Sequence, residues 1–438
     1  MQSLSSPAPS APAPPRHEAP ASRWQILAWT LFDFANTAFS VIIVTVIYSR
    51  YFTHTVAGGR RWLWGLAVSL SMIFAALLAP PLGAAADFSR NRKRFLLLFT
   101  IVSVIATAMM FFVREGMVLT GLLLFVAANI GFEGGLVFYD AFLPGITSRN
   151  SYGRVSGYGF AMGYAGALAV LLIVRMMLPD AADPLYLFYV RLSFVVAAVF
   201  FMFFSLPLFF FVHEPPPAGE RPPSVLRAGI AKSAGTFRSL FIKHEHPSLA
   251  RFLIAFFIYN DGILTVIAFA AIFAGEVLHM SDAAIIVFFA IVQTSAVAGS
   301  LVFGVITDAI GPKKTITITL CIWIAIAMGA YLVQTVGQFY IVAFAAGIAI
   351  GSSQSASRSL MALLTPRTQE AEFFGFYDGL CGKASAVVGP LVYGIVADLT
   401  NERFATLVIG AFFLAGLILM QGVKEPDRTT PAGTAPGR

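Results

Sequence analysis

Charged and amide side chains interrupt several long apolar runs of this sequence, and their spacing suggests chemistry. Asp33 and Asn36 stand about one helical turn apart in WTLFDFANTAFS. Glu133 and Asp140, seven apart, share one face of a helix, and Gln354 and Arg358, four apart, lie one above the other. Asn260 and Asp261 are adjacent in FFIYNDGILTVI. Asp378 and Lys383 are five apart in FYDGLCGK, a separation that points two side chains in different directions on an α-helix. A charge in hydrocarbon is costly and is kept where it faces a cavity, a partner or an ion path. Asp33, Asn36, Glu133, Asn260, Asp261, Gln354, Arg358 and Lys383 are therefore the candidates to bind a polar solute or to carry a proton. Each has a plainer alternative. Asp33 can bridge to Lys383 or Arg358, Asp261 can bond a neighbouring helix, and Arg358 can snorkel to the headgroups.

A second set of residues repeats. LAPPLGAAADFSRNRKRF, from Leu78, has a counterpart in GSLVFGVITDAIGPKK, from Gly299, and places Asp87 and Asp308 221 residues apart. A carboxylate near a helix amino terminus gains roughly 0.3–1 kcal/mol. Asp87 is expected at the start of the eleventh apolar run, near Glu370 to Phe373, and Asp308 at the start of the fifth, near Ser151 to Arg154. Both then act as gates, with Asp140, Arg154 and Asp378 as further gating residues. Gly159 and Gly163, and likewise Gly375 and Gly379, have the four-residue spacing that lets membrane helices approach closely. Runs 5 and 11 are expected to cross tightly, as rocking elements between the halves.

The elements that carry these residues follow from composition. The chain has 438 residues, 58% hydrophobic and 12% charged, about half the charge of a soluble domain. Its surface must face lipid, where backbone groups are satisfied within helices. Twelve apolar runs are long enough to span a bilayer: 24–50, 62–86, 95–113, 117–143, 154–178, 186–212, 249–275, 283–307, 315–335, 338–364, 371–397 and 404–422. The expected organisation is a disordered tail over 1–22, a six-helix bundle over 23–212, a linker over 213–248, a second bundle over 249–423 and a disordered tail over 424–438. In the linker, Leu226, Ile230, Phe237 and Phe241 fall near one helical face and Arg227, Lys232, Arg238 and Lys243 elsewhere, which suits a basic helix on the membrane surface or a solvated linker. Loops on the side of the amino terminus hold about three times as many Lys and Arg as the other loops, which places both termini in the cytoplasm. The basic balance is thereby assigned to topology, and nucleic acid is not expected as a partner. Cys321 and Cys381 read as core thiols, and no metal or cofactor motif appears.

WTLFDFANTAFS, VFYDAFLPGI, GRVSGYGFAMGYAG, FFIYNDGILTVI, SRSLMALLTP and EAEFFGFYDGLCGKASAVVGPLVYG resemble the vacuole-effluxer branch of the major facilitator superfamily, over nearly all twelve runs. The two Asp loops are similar to that superfamily's GxxxD signature. They depart from it at Phe88 and Ala309, where a basic residue is usual, and at Arg90, where Gly is usual. Asp140 stands where Asn is expected in the branch. The resemblance implies an all-α fold of two six-helix pseudo-repeat halves, with runs 1, 4, 7 and 10 lining a cavity and 3, 6, 9 and 12 facing lipid. It implies a non-enzymatic small-molecule exporter, and its fungal members export amino acids from the vacuole. The expectation is a monomeric secondary transporter of a small polar or zwitterionic metabolite in a bacterial inner membrane, coupled to protons. A transporter of amphiphiles such as lysolipids, or a membrane scaffold or receptor, is the alternative.

Overall fold

The structure, a computed structural model, describes residues 22–180, 182–214, 224–366, 368–386 and 388–426, without the side chains of 282, 283 and 286. The expected tails and the Pro-rich start of the linker lie outside the described residues, apart from Ser22, 213–214 and 424–426. Twelve helices are long and apolar enough to cross a membrane: Arg23–Val56, Arg61–Ser89, Arg92–Phe112, Val118–Ile146, Arg149–Met177, Tyr186–Phe211, Pro247–Leu278, Val287–Ile310, Pro312–Leu332, Val336–Leu364, Glu370–Leu399 and Glu402–Gln421. They are numbered spans 1 to 12. The linker forms one further helix, Val225–Phe241. The chain is a multi-pass membrane protein. We call the side that carries Arg90–Arg94, Lys313 and Lys314 the basic face.

Two spans are irregular. Span 1 passes into π-helix over Ser40–Val46, a β-branched run (SVIIVTV) whose side chains crowd the preceding turn of an α-helix, and again over Phe52–Val56. It thus runs six residues past its expected end. Span 11 is built in pieces: α-helix over Glu370–Phe374, π-helix over Gly375–Cys381, one turn over Gly382–Ala384 and a new helix over Val388–Leu399. Its glycines lower the cost of leaving the α conformation.

The two halves repeat each other down to their caps. Glu214, just past span 6, accepts the first amides of span 3, from Arg92 at 2.8 Å and Lys93 at 3.1 Å. Glu425, just past span 12, accepts the Lys313 amide of span 9 at 3.1 Å. Lys93 Nζ donates to the Val212 carbonyl at 2.9 Å, and Lys313 Nζ to that of Gln421 at 3.0 Å.

The halves meet where backbones touch. A Cβ on Gly83 of span 2 would lie 2.2 Å from the Ala371 carbonyl oxygen, and one on Gly375 2.7 Å from that of Ala79. The counterpart joins span 8 to span 5: a Cβ on Gly157 would lie 2.3 Å from the Ser300 oxygen, and one on Gly304 2.9 Å from that of Gly153. Spans 5 and 11 therefore do not cross one another. Each crosses a span of the other half, 5 against 8 and 11 against 2. The counterpart of Gly375 is Gly157, since the two meet the carbonyls of Ala79 and Ser300 in turn, and Gly153 stands where the second half has Ala371. Gly159 and Gly163 pack instead on Trp29, Asp33 and Thr37 of span 1.

Gly83→Val should force spans 2 and 11 apart and lower the apparent melting temperature of the purified protein, an overpacking cost of roughly 1–3 kcal/mol. Gly394→Val, at a glycine with nothing within 4 Å of an added Cβ, should leave it unchanged. Equal melting temperatures for the two variants would refute the close approach.

Candidate functional site

Two buried charge clusters join the halves. The first is centred on Arg358 of span 10, which is 2% exposed. Its Nη1 lies 2.7 Å from Asp140 Oδ1 of span 4, and both Nη atoms lie 3.4 Å from Asp33 Oδ2 of span 1. Nε donates to Ser156 Oγ at 3.0 Å and Nη2 to the Ser156 carbonyl at 3.1 Å. Asn36 holds the other oxygen of Asp33 at 3.2 Å. The guanidinium also lies over Phe160 at 3.9 Å and Trp29 at 4.9 Å, and Trp29 stacks on Tyr139. A planar fork of donors is the side chain that can serve two carboxylates, a hydroxyl and a carbonyl together. Arg358 and Asp140 each stand six residues from the basic-face ends of their spans. Arg358 does not snorkel to the headgroups: it is inserted into the first half.

The second cluster is centred on Lys383 of span 11. Its Nζ pairs with Glu133 Oε2 of span 4 and lies 3.9 Å from Asp378 Oδ1 of its own span. Asp378 and Lys383 thus point together, not apart. They flank the end of the Gly375–Cys381 π-helix, whose wider turn brings residues five apart onto one face. Lys383 and Asp378 keep side-chain exposures of 14% and 20%. The Tyr164 hydroxyl of span 5 also joins the halves, donating to Gln354 Oε1 of span 10 at 3.2 Å. Each cluster sets two carboxylates against one cation.

Asn260 and Asp261 do other work. Asp261 is 0% exposed, and both its carboxylate oxygens accept the Gly389 amide at 2.8 Å. Asn260 Nδ2 donates to Ser385 Oγ at 2.7 Å. Together they hold the break in span 11, and Asp261 sits at the amino terminus of the helix that restarts there. Its place is the helix-to-helix bond, not the space beside Lys383.

Both loop aspartates stand at helix starts across the halves. Asp87 accepts the Ala371 and Glu372 amides at 3.2 and 2.9 Å, and Arg92 Nε at 2.8 Å. Arg92 pairs also with Glu370. Asp308 accepts the Gly153 and Arg154 amides at 2.8 and 3.2 Å and the Arg154 side chain at 2.7 Å. Span 10 adds hydroxyl bonds to span 5: Ser156 Oγ to the Ser355 carbonyl at 3.0 Å and Ser359 Oγ to that of Tyr152 at 3.1 Å. Among the described residues, these bonds between halves lie from mid-span to the basic face, and that side is closed.

Several partners carry no mark in the sequence reading. Trp29 is the exception in principle, since it stands four residues before Asp33 and so on its face. Arg92, Ser156, Tyr139 and Phe160 have no such signal, because their role arises from another half's side chain. Cys381 is buried as expected, whereas Cys321 is exposed on span 9. Among the described residues no group of His, Cys, Asp and Glu has the geometry of a metal site.

A sequence model of the family described as "Vacuole effluxer Atg22 like" matches residues 65–153 and 147–430. The chain is 28% identical over 418 residues to the uncharacterized MFS-type transporter YxiO of Bacillus subtilis, covering 92% of this chain and 95% of that one. It is 24% identical to autophagy-related protein 22 of Yarrowia lipolytica, covering 82% and 76%. In fold it is similar to the human organic anion transporter MFSD10 (TM-score 0.74, 15% identity, 92% and 100% covered). It is similar also to the proton:xylose symporter XylE (TM-score 0.70, 15% identity, 93% and 97% covered).

Arg358→Gln should cost roughly 3–5 kcal/mol, because it strands two buried carboxylates. Arg358→Lys should recover little of that, since an ammonium cannot reproduce the fork. Melting of the detergent-purified variants measures both; a Lys variant as stable as wild type would show that charge alone suffices.

Proposed function

This chain belongs to the vacuole effluxer Atg22-like family of the major facilitator superfamily, and we propose that it is a secondary transporter working by alternating access. Its basic face lies in the cytoplasm of a bacterial inner membrane, with both termini on that side. The cargo is a small polar or zwitterionic metabolite, amino acids first, and the direction is efflux, as the family description suggests. One chain suffices for the cycle.

The observation that carries this reading is the Glu133–Lys383–Asp378 cluster. It lies across the halves near mid-span, where substrate sites of such folds lie. It offers a cation for a carboxylate and two acids for an ammonium group, at a partly exposed place. The Arg358 cluster, by contrast, is sealed and saturated, so it serves as a gate. This gives Asp33, Asp140 and Arg358 a gating role with Asp87, Asp308 and Arg154, and gives Asp261 the support of span 11.

Proton coupling fits the charge count. Two carboxylates around one lysine leave one negative charge in a low-dielectric setting, which a proton or a substrate ammonium group neutralises. Loss of either lets the halves part.

Reconstituted into proteoliposomes, the protein should move labelled amino acids faster when a pH gradient is imposed. Glu133→Gln should abolish that acceleration, and Lys383→Ala should remove stabilisation by the transported ligand in a thermal-shift assay. Rates indifferent to the gradient in wild type and Glu133→Gln alike would exclude proton coupling.

A further inference from the structure

The linker helix Val225–Phe241 presents three different faces. The first is packed. Gly229, Ser233 and Leu240 are buried, and a Cβ on Gly229 would lie 2.5 Å from the Pro81 carbonyl oxygen of span 2. At the edge of that face Lys232 reaches the other half. Its Nζ lies 3.1 Å from Glu372 Oε2 on span 11 and 4.7 Å from the Phe88 ring centroid. The Glu372 side chain is 0% exposed, and its own amide is one of the two that Asp87 accepts. The second face is apolar and exposed: Leu226, Ile230 and Phe237, continued by Ile242. The third is cationic, with Arg227 and Arg238, while Lys243, just beyond the helix, pairs with Glu245 at 3.6 Å. No acid occurs within Val225–Phe241.

Depth decides what covers the apolar face. Pro81 stands eight residues before Ser89, the end of span 2, about 12 Å at helical rise. The linker helix therefore lies beside the apolar part of the span, not beyond it. An apolar stripe flanked by Arg side chains at that depth matches the boundary between acyl chains and headgroups, and its charge favours anionic lipid.

We propose that the linker helix is a latch on the basic-face gate, seated in an anionic headgroup layer. It rides on span 2 through Gly229 and grips span 11 through Lys232. Opening the basic face moves the start of span 11 off span 2, which pulls Glu372 from Lys232 and strands a buried carboxylate. Anionic lipid held by Arg227 and Arg238 keeps the helix at the depth where Lys232 reaches Glu372. The same bilayer charge that anchors the helix thereby favours the state closed on this side.

The inference rests on the alternating-access reading, and the test separates the two. Spin labels are placed at Arg94→Cys and Lys314→Cys, exposed positions on the basic face of either half, after replacement of Cys321 and Cys381. Distances are measured in nanodiscs of phosphatidylcholine with and without phosphatidylglycerol. Phosphatidylglycerol should reduce the long-distance population in wild type. Lys232→Gln should raise it about fivefold in either lipid, the scale of a weak allosteric coupling. Arg227→Gln with Arg238→Gln should erase the lipid difference. Asp87→Asn, which weakens the adjacent cap, is the control. If it too leaves the distances unchanged, the alternating-access reading falls and the latch with it. If Asp87→Asn lengthens them and Lys232→Gln does not, the latch alone is overturned. A response to Lys232→Gln with none to lipid charge or to the Arg variants would overturn the membrane seat and assign that face to a protein partner.

Discussion

The structure depends on one constraint: a charge or a free backbone amide inside an apolar slab must be bonded. This chain meets it repeatedly with one device, a carboxylate set against the first amides of a helix. Asp87, Asp308, Asp261, Glu214 and Glu425 all do this. Each satisfies orphan donors of a helix start while the helix end stabilises the anion. Two of the five reach across the halves, one repairs the break in span 11, and two tie each bundle to its own linker or tail. The device thus does three jobs: it joins the halves, supports an irregular span and fixes the bundle ends.

The same constraint separates the two cation clusters. Arg358 spends its fork on Asp140, Asp33 and Ser156, with aromatic rings on its faces. A cluster so fully bonded gains nothing from a ligand and loses much when pulled apart. Lys383 is a point charge with rotatable donors, partly exposed, beside two carboxylates. It can exchange partners at small cost. The two clusters carry the same charge count and differ in how many hydrogen bonds hold the cation.

How much of this could be read in the chain follows from where periodicity held. The twelve spans were legible because apolar length and loop charge need only local information. The Asp87 and Asp308 positions were legible because duplication copies a loop together with its docking partner. Asp378 and Lys383 were misread because the α period was applied to a π-helical stretch. The glycine pairs were misaligned because the eye matched spacing without register, and only contact with Ala79 and Ser300 identifies the true counterparts. Asp261 looked like the charge of a cavity, since a sequence cannot show that span 11 restarts at Val388 and leaves an amide there. Lys232 and Glu372, 140 residues apart, carried no joint signal at all.

Pseudo-symmetry makes the differences between the gates informative. At the 5/8 contact, Asp308 is served by Arg154, a residue of the helix that it caps. At the 2/11 contact, Arg92 comes from span 3 and bonds both Asp87 and Glu370, and Lys232 comes from the linker to Glu372. The 2/11 contact thus draws in span 3 and the linker, and the 5/8 contact draws in span 10. Ion pairs from span 3 and the linker bridge to the start of span 11, and hydroxyl bonds tie span 10 to the start of span 5. The two contacts are built from different partners, and the one at span 11 lies on the span that also carries Lys383. The Lys383 cluster and the 2/11 contact thus lie on one broken helix, about 20 Å apart along it.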